Sequence, residues 1–131
     1  MKKLFTIVFV FTTAFIFAVT PLSYEQLPYP FSVKKFTFEG YKVAYIDEGQ
    51  GDTIVFVHGL GGNLTNFSSL YNVYKSKYRV IAIDTLGNGR SEKPDNRAVY
   101  EIKEKARCIM FLLKHLNIKK ATLIGHSNGG Q

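Results

Sequence analysis

Hydrophobic and polar residues change their spacing several times along this chain, and each change marks an element. From Val33 to Glu39 and from Tyr41 to Asp47, Phe36/Phe38 and Val43/Tyr45 alternate with more polar neighbours. Alternation predicts two half-buried strands, and Gly40 between them predicts a hairpin. Glu48-Gly49-Gln50-Gly51-Asp52 reads as a turn. Thr53 to Val57 is then apolar without a break, the pattern of a strand covered on both faces, and Tyr78 to Ile83 and Lys119 to Ile124 repeat it. The stretches between them have a longer period. Asn66 to Lys77 predicts a helix with Phe67, Leu70, Tyr71 and Tyr74 on one side. Val99 to Leu116 predicts a longer one, with Ile102, Ala106, Ile109, Leu113 and Leu116 in one stripe and Lys103, Glu104, Arg107 and Lys114 on other faces. Asn117 ends it. The order is a hairpin followed by β-α-β-α-β, so the expected class is α/β: a doubly wound, mostly parallel sheet with an N-terminal antiparallel hairpin.

The N-terminus has no such period. Met1-Lys2-Lys3 is positive, Leu4 to Val19 carries no charge, and Pro21 breaks the run. These are the n-region and h-region of an export signal, and the run is short of the roughly 20 residues of a spanning helix. The expectation is a signal peptide or membrane anchor over 1–20, a linker over 21–32 that contains Pro21, Pro28 and Pro30, and a domain over 33–131. Either form of the leader exports the domain, to a periplasmic or extracellular location. The membrane enters as a partner only if the segment stays uncleaved.

Composition narrows the class. With 46% hydrophobic and 15% aromatic residues in 131, the chain has the material for one packed core and is not disordered. The formal charge of +7 raises the question of nucleic acid, but the basic residues are scattered (Lys34-Lys35, Lys75, Lys77 and Arg79, Lys103, Lys105 and Arg107, Lys119-Lys120) and no nucleic-acid motif accompanies them. They read as solvated faces. Cys108 is the single cysteine, so no internal disulfide forms, and its apolar helical setting predicts a small buried hydrophobe.

The chemistry lies in three loops, each following one of the buried strands: His58-Gly59-Leu60-Gly61-Gly62-Asn63, then Asp84-Thr85-Leu86-Gly87-Asn88-Gly89-Arg90-Ser91, then Gly125-His126-Ser127-Asn128-Gly129. Open α/β sheets present ligands at that carboxyl edge. Three motifs in this order, H-G-x-G-G, D-x-x-G-x-G-x-S and G-x-S-x-G, resemble the α/β-hydrolase fold superfamily, over roughly residues 36–131. Asn88 stands where relatives often have His, and Phe67 where they often have Trp.

The resemblance implies roles. Ser127 would be the nucleophile on a tight strand-to-helix turn, with Gly125 and Gly129 small enough to allow it and a helix starting near Asn128. The backbone N–H groups of Asn128 and Leu60 would stabilise the oxyanion, with Gly59, Gly61 and Gly62 letting the backbone approach the substrate. His58, Asp84, Gly87 and Gly89 would shape the loops. The implied reaction is hydrolysis of a carboxylic ester, thioester or amide through an acyl-enzyme, on a small acyl substrate and without cofactor or metal. A serine at this position argues against the dehalogenases and epoxide hydrolases of the fold, which use Asp. The family's acid and histidine follow the serine, and His58, His115 and His126 do not match them. The chain is therefore expected to be an N-terminal piece that lacks the acid and base, inactive and poorly soluble alone, with the strand of residues 121–124 left as an apolar edge. The other readings are an inactive remnant or a hydrolase-fold binding protein.

Overall fold

The computed structural model describes Gln26 and residues 28–131; the leader over 1–20 and most of the linker before Pro28 lie outside the described residues. Strands β1 (Lys34–Phe38) and β2 (Tyr41–Glu48) pair antiparallel, with Phe36 opposite Val43 and Phe38 opposite Tyr41. Glu39 and Gly40 close the turn with φ of 48° and 89°, the two positive values that match a hairpin turn to strand twist. Strand β3 (Thr53–Val57), helix α1 (Ser68–Tyr74), strand β4 (Arg79–Ile83), helix α2 (Ile102–His115) and strand β5 (Ala121–Gly125) follow. The spatial order is β1-β2-β4-β3-β5. Strand β3 runs parallel to both β4 and β5, and β2 joins β4 antiparallel. This is the expected mixed sheet.

Strand pleating sends alternate side chains to opposite faces, and each face has its own core. Val55, Val57, Ile81 and Ile83 join Phe36, Phe38, Val43 and Tyr45 from the hairpin and Cys108, Ile109 and Leu112 from α2. Ile54, Phe56, Val80, Ala82 and Ile46 face the other way, onto Leu64 and Tyr71 of the α1 region. Phe56 is ringed by Phe67, Tyr71 and Tyr74 at centroid distances of 5.1, 5.2 and 6.3 Å. Aromatic pairs of this kind contribute roughly 0.5–1.5 kcal/mol each beyond the area they bury. Cys108 is buried as expected, which pushes its thiol up to about 12.

Both helix expectations need correction. The single helix over 66–77 is a 3-10 turn, Leu64–Phe67, leading into the seven residues of α1. Asn63 caps it by accepting from Thr65 N–H while Asn66 bonds back to the Asn63 N–H, so the helix starts earlier and ends sooner. Within it Leu70 faces solvent. The second helix is split as well: a 3-10 turn covers Arg97–Tyr100, and Glu101 is extended at φ −62°, ψ 148° before α2 begins. The buried face of α2 centres on Cys108, Ile109 and Leu112, one position round from the expected stripe, and Ile102 and Ala106 are exposed. Ahead of β1, Tyr29, Phe31 and Val33 pack on the Phe56 side of the sheet.

Strand β5 occupies the sheet edge. Leu123 is 56% exposed, and an apolar groove of about 280 Å³ runs between β5 and α2, lined by Ile102, Met110 and Leu123 among others. An open edge beside apolar side chains is a template for pairing with another chain. The 131-residue chain is expected to self-associate, and Leu123→Lys to shift sedimentation-velocity profiles towards monomer. An unchanged distribution would show that association, if present, uses another surface.

Candidate active site

All three loops meet at the carboxyl edge of β3, β4 and β5. His126 N–H donates to the Val57 carbonyl at 3.1 Å, tying the end of β5 to the end of β3. A Cβ on Gly59 would lie 3.1 Å from the Ser127 Cβ, so the first loop lies directly against the serine. The Thr85 N–H donates to His58 Nε2 at 3.1 Å, which ties the first loop to the second.

The turn that carries Ser127 is held by close backbone packing. Ser127 sits at φ +53°, one of three non-glycine residues with positive φ among the described residues. A side chain there costs of order 1–3 kcal/mol and persists only where the surroundings enforce it. The enforcing contacts are visible at the two flanking glycines. A Cβ on Gly125 would fall 2.0 Å from the Gly129 carbonyl oxygen, and one on Gly129 would fall 2.3 Å from the Val57 oxygen. Any side chain at either position would push the turn off the sheet. After Ser127 the chain forms a 3-10 turn, Ser127–Gly130, in place of the α-helix expected from Asn128. Ser127 is exposed. The Asn128 side chain accepts from the Lys105 ammonium of α2, a contact no motif signalled.

Leu60 is 87% exposed at the tip of the first loop, and among the described residues its N–H donates to nothing. Gly61 carries the positive φ of the following turn, which Gly62 closes by donating to the Gly59 carbonyl at 3.1 Å. His58 beneath them is 3% exposed. Its Nδ1 lies 2.7 Å from the Gly59 carbonyl and its Nε2 accepts from Thr85, so the proton is on Nδ1 and the ring is neutral. Burial keeps its pKa below the usual histidine value. With both nitrogens occupied, His58 organises loops and is not free to take a proton from Ser127.

Asp84 is fully buried and spans the loops. Its Oδ1 accepts from Leu64 N–H at 2.6 Å, and its Oδ2 from Arg90 N–H at 2.8 Å and the Tyr29 hydroxyl at 3.4 Å. Burial raises its pKa, against the lowering pull of those donors. Gly89 leaves the carboxyl its room, since a Cβ there would lie 2.1 Å from Oδ2, and Gly87 N–H donates to the Glu92 carbonyl at 2.8 Å. Ser91 was legible only as the last letter of a motif. Its hydroxyl donates to the Asp84 carbonyl at 2.5 Å and accepts from Ala44 N–H at 2.8 Å, stitching the second loop to β2. Among the described residues no group of three or more His, Cys, Asp and Glu converges to hold a metal ion.

His58 makes stability depend on pH in a definite direction. Its folded pKa lies below the unfolded value of 6.5. Between the two values the unfolded chain binds the proton and the folded chain does not, so stability rises with pH across that window and is flat above it. Asp84 acts with the opposite sign above 3.8. The melting temperature of the chain is expected to fall as pH is lowered from 7 through this window. The difference between wild type and His58→Gln isolates the histidine and should shrink on acidification; a constant difference would remove His58 as the source.

Comparison with known proteins agrees with this geometry. The family model described as alpha/beta hydrolase fold matches residues 52–131. The chain is 34% identical over 101 residues to the uncharacterized hydrolase YugF of Bacillus subtilis, covering 76% of this chain and 37% of that one. It is 31% identical over 102 residues to haloalkane dehalogenase 2 of Mycobacterium tuberculosis, covering 78% and 35%. The crystal structure of a probable hydrolytic enzyme from Pseudomonas aeruginosa superposes with a TM-score of 0.71 at 32% identity, covering 80% of this chain and 36% of that one. The chain thus spans little more than a third of the length of each. With the sheet order, the three loops and the family match all in agreement, the chain belongs to the alpha/beta hydrolase fold family.

Proposed function

We propose that the chain carries the nucleophile and oxyanion-binding loops of an exported serine hydrolase that cleaves a carboxylic ester, or a thioester or amide, through an acyl-enzyme. The observation that carries this reading is Ser127 at φ +53°, exposed at the apex of a turn that Gly125 and Gly129 allow to pack against the end of β3. Strain of this kind at an exposed hydroxyl serves to present it to a substrate.

In the proposed reaction the Ser127 Oγ attacks the acyl carbon and its proton passes to a base. The carbonyl oxygen, now an oxyanion, accepts from the N–H groups of Asn128 and Leu60. Collapse expels the alcohol, thiol or amine, which leaves with a proton, and water then hydrolyses the ester at Ser127. Each oxyanion donor is worth about 3 kcal/mol in such sites. His58 is ruled out as the base because both of its nitrogens are engaged. The base and its acid are assigned to sequence after Gln131 in a longer parent protein, a reading supported by the greater length of the relatives. The haloalkane dehalogenase likeness is set aside on the nucleophile that the family resemblance implies: dehalogenases of this fold use Asp at the elbow, and this chain has Ser127 there. The uncharged run from Leu4 to Val19 supports export.

A fluorophosphonate probe tests this on the parent protein. Labelling is expected at Ser127, lost in Ser127→Ala, with hydrolysis of a p-nitrophenyl ester falling by about 10⁴-fold or more in that variant. Undiminished turnover in Ser127→Ala would end the proposal.

A further inference from the structure

We infer that Tyr29 and Phe31 form a strap that positions the loop bearing the Leu60 N–H, a role that rests on the serine-hydrolase reading above. Nothing in the Pro-rich sequence around them signalled it. Leu64 anchors the far end of the loop to the core. Both backbone polar groups of Leu64 are held by side chains. Its N–H donates to Asp84 Oδ1 at 2.6 Å, and its carbonyl accepts from the Tyr71 hydroxyl. Asp84 and Tyr71 are themselves fully buried.

The strap lies on these two side chains. The Tyr29 hydroxyl donates to the other Asp84 oxygen at 3.4 Å, and the Arg90 guanidinium sits 4.1 Å above the Tyr29 ring. Phe31 meets Tyr71 edge-on at 5.3 Å, with the Lys75 ammonium 5.6 Å from the Phe31 ring. Tyr29 therefore backs the group that holds the Leu64 N–H, and Phe31 backs the group that holds the Leu64 carbonyl. Arg90 donates its own N–H to the same Asp84 oxygen that Tyr29 reaches, so the strap also touches the second loop. Fixing Leu64 at both groups fixes the end of a four-residue path back to Leu60. An oxyanion donor works only if held in place before reaction.

The test combines amide hydrogen exchange with probe labelling on the parent protein. Tyr29→Phe keeps the ring under Arg90 and removes one hydrogen bond. Exchange at Leu64 and Arg90 should quicken about five-fold, as loss of one bond of ordinary strength implies, while Val55 and Ile81 stay unchanged. The maximal rate of Ser127 phosphonylation should fall several-fold with its dependence on probe concentration unchanged, a split that general destabilisation would not produce. Phe31→Leu, which keeps the apolar contact but loses the edge-on ring, should act in the same direction at Leu64 alone. Unchanged exchange at Leu64 in both variants, or equal acceleration in every strand, would overturn the strap. Unsubstituted protein that never labels, with the exchange result intact, would leave the strap standing and remove the nucleophile reading.

Discussion

The carboxylate of Asp84 is the interaction on which the candidate site depends. It is fully buried, and each of its oxygens accepts a backbone N–H from a different loop, Leu64 from the first and Arg90 from the second. Burying a carboxylate is costly unless it is hydrogen-bonded, and the cost is seen in the upward shift of its pKa. What the burial secures is geometry: two loops with few apolar anchors of their own are referred to one rigid acceptor at the end of β4. His58 completes the arrangement from the neighbouring strand, neutral and bonded to the Thr85 N–H. Both groups are titratable side chains near Ser127, yet their shortest hydrogen bonds are to backbone. Their chemistry is structural.

Ser127 depends on that framework from the other side. A strained φ at one residue survives only when its neighbours leave no relaxed alternative, and here the alternatives are closed by backbone. The Gly129 backbone packs against the Val57 and His58 carbonyls, and His126 is hydrogen-bonded to Val57. The sheet edge thus acts as the anvil for the turn. The same contacts bring Gly59 beside the serine, so the first loop and the serine turn are packed as one unit.

Much of this was legible in the sequence. Period-two alternation located β1 because only one of its faces is buried; β2, expected to be half-buried, is buried on both faces from Val43 to Ile46 because β4 carries it into the middle of the sheet. Unbroken apolar runs located β3 and β4, which are covered on both faces. The glycines of the serine turn were readable because no other residue fits a backbone that close. Element ends were less legible. Asn63 caps a 3-10 turn that begins at Leu64, and Glu101 is extended before α2; local side-chain bonds set those boundaries. The stripe on α2 was misplaced because two adjacent apolar stripes exist, and only packing against the hairpin selects the one through Cys108 and Leu112.

The sequence by itself determined the class of fold, the order of the strands along the chain and the identity of the residues in the three loops, since each rests on local spacing or on glycine's lack of a side chain. Only the tertiary structure decided which groups are spent on holding the loops. That Asp84 joins Leu64 to Arg90, that His58 has no free nitrogen, and that Tyr29 and Phe31 back Asp84 and Tyr71 are long-range facts. The Asp84–Leu64, His58–Thr85, Tyr29–Asp84 and Phe31–Tyr71 contacts join residues 20 or more positions apart, which no local period encodes and which arise when the two faces of the sheet are covered.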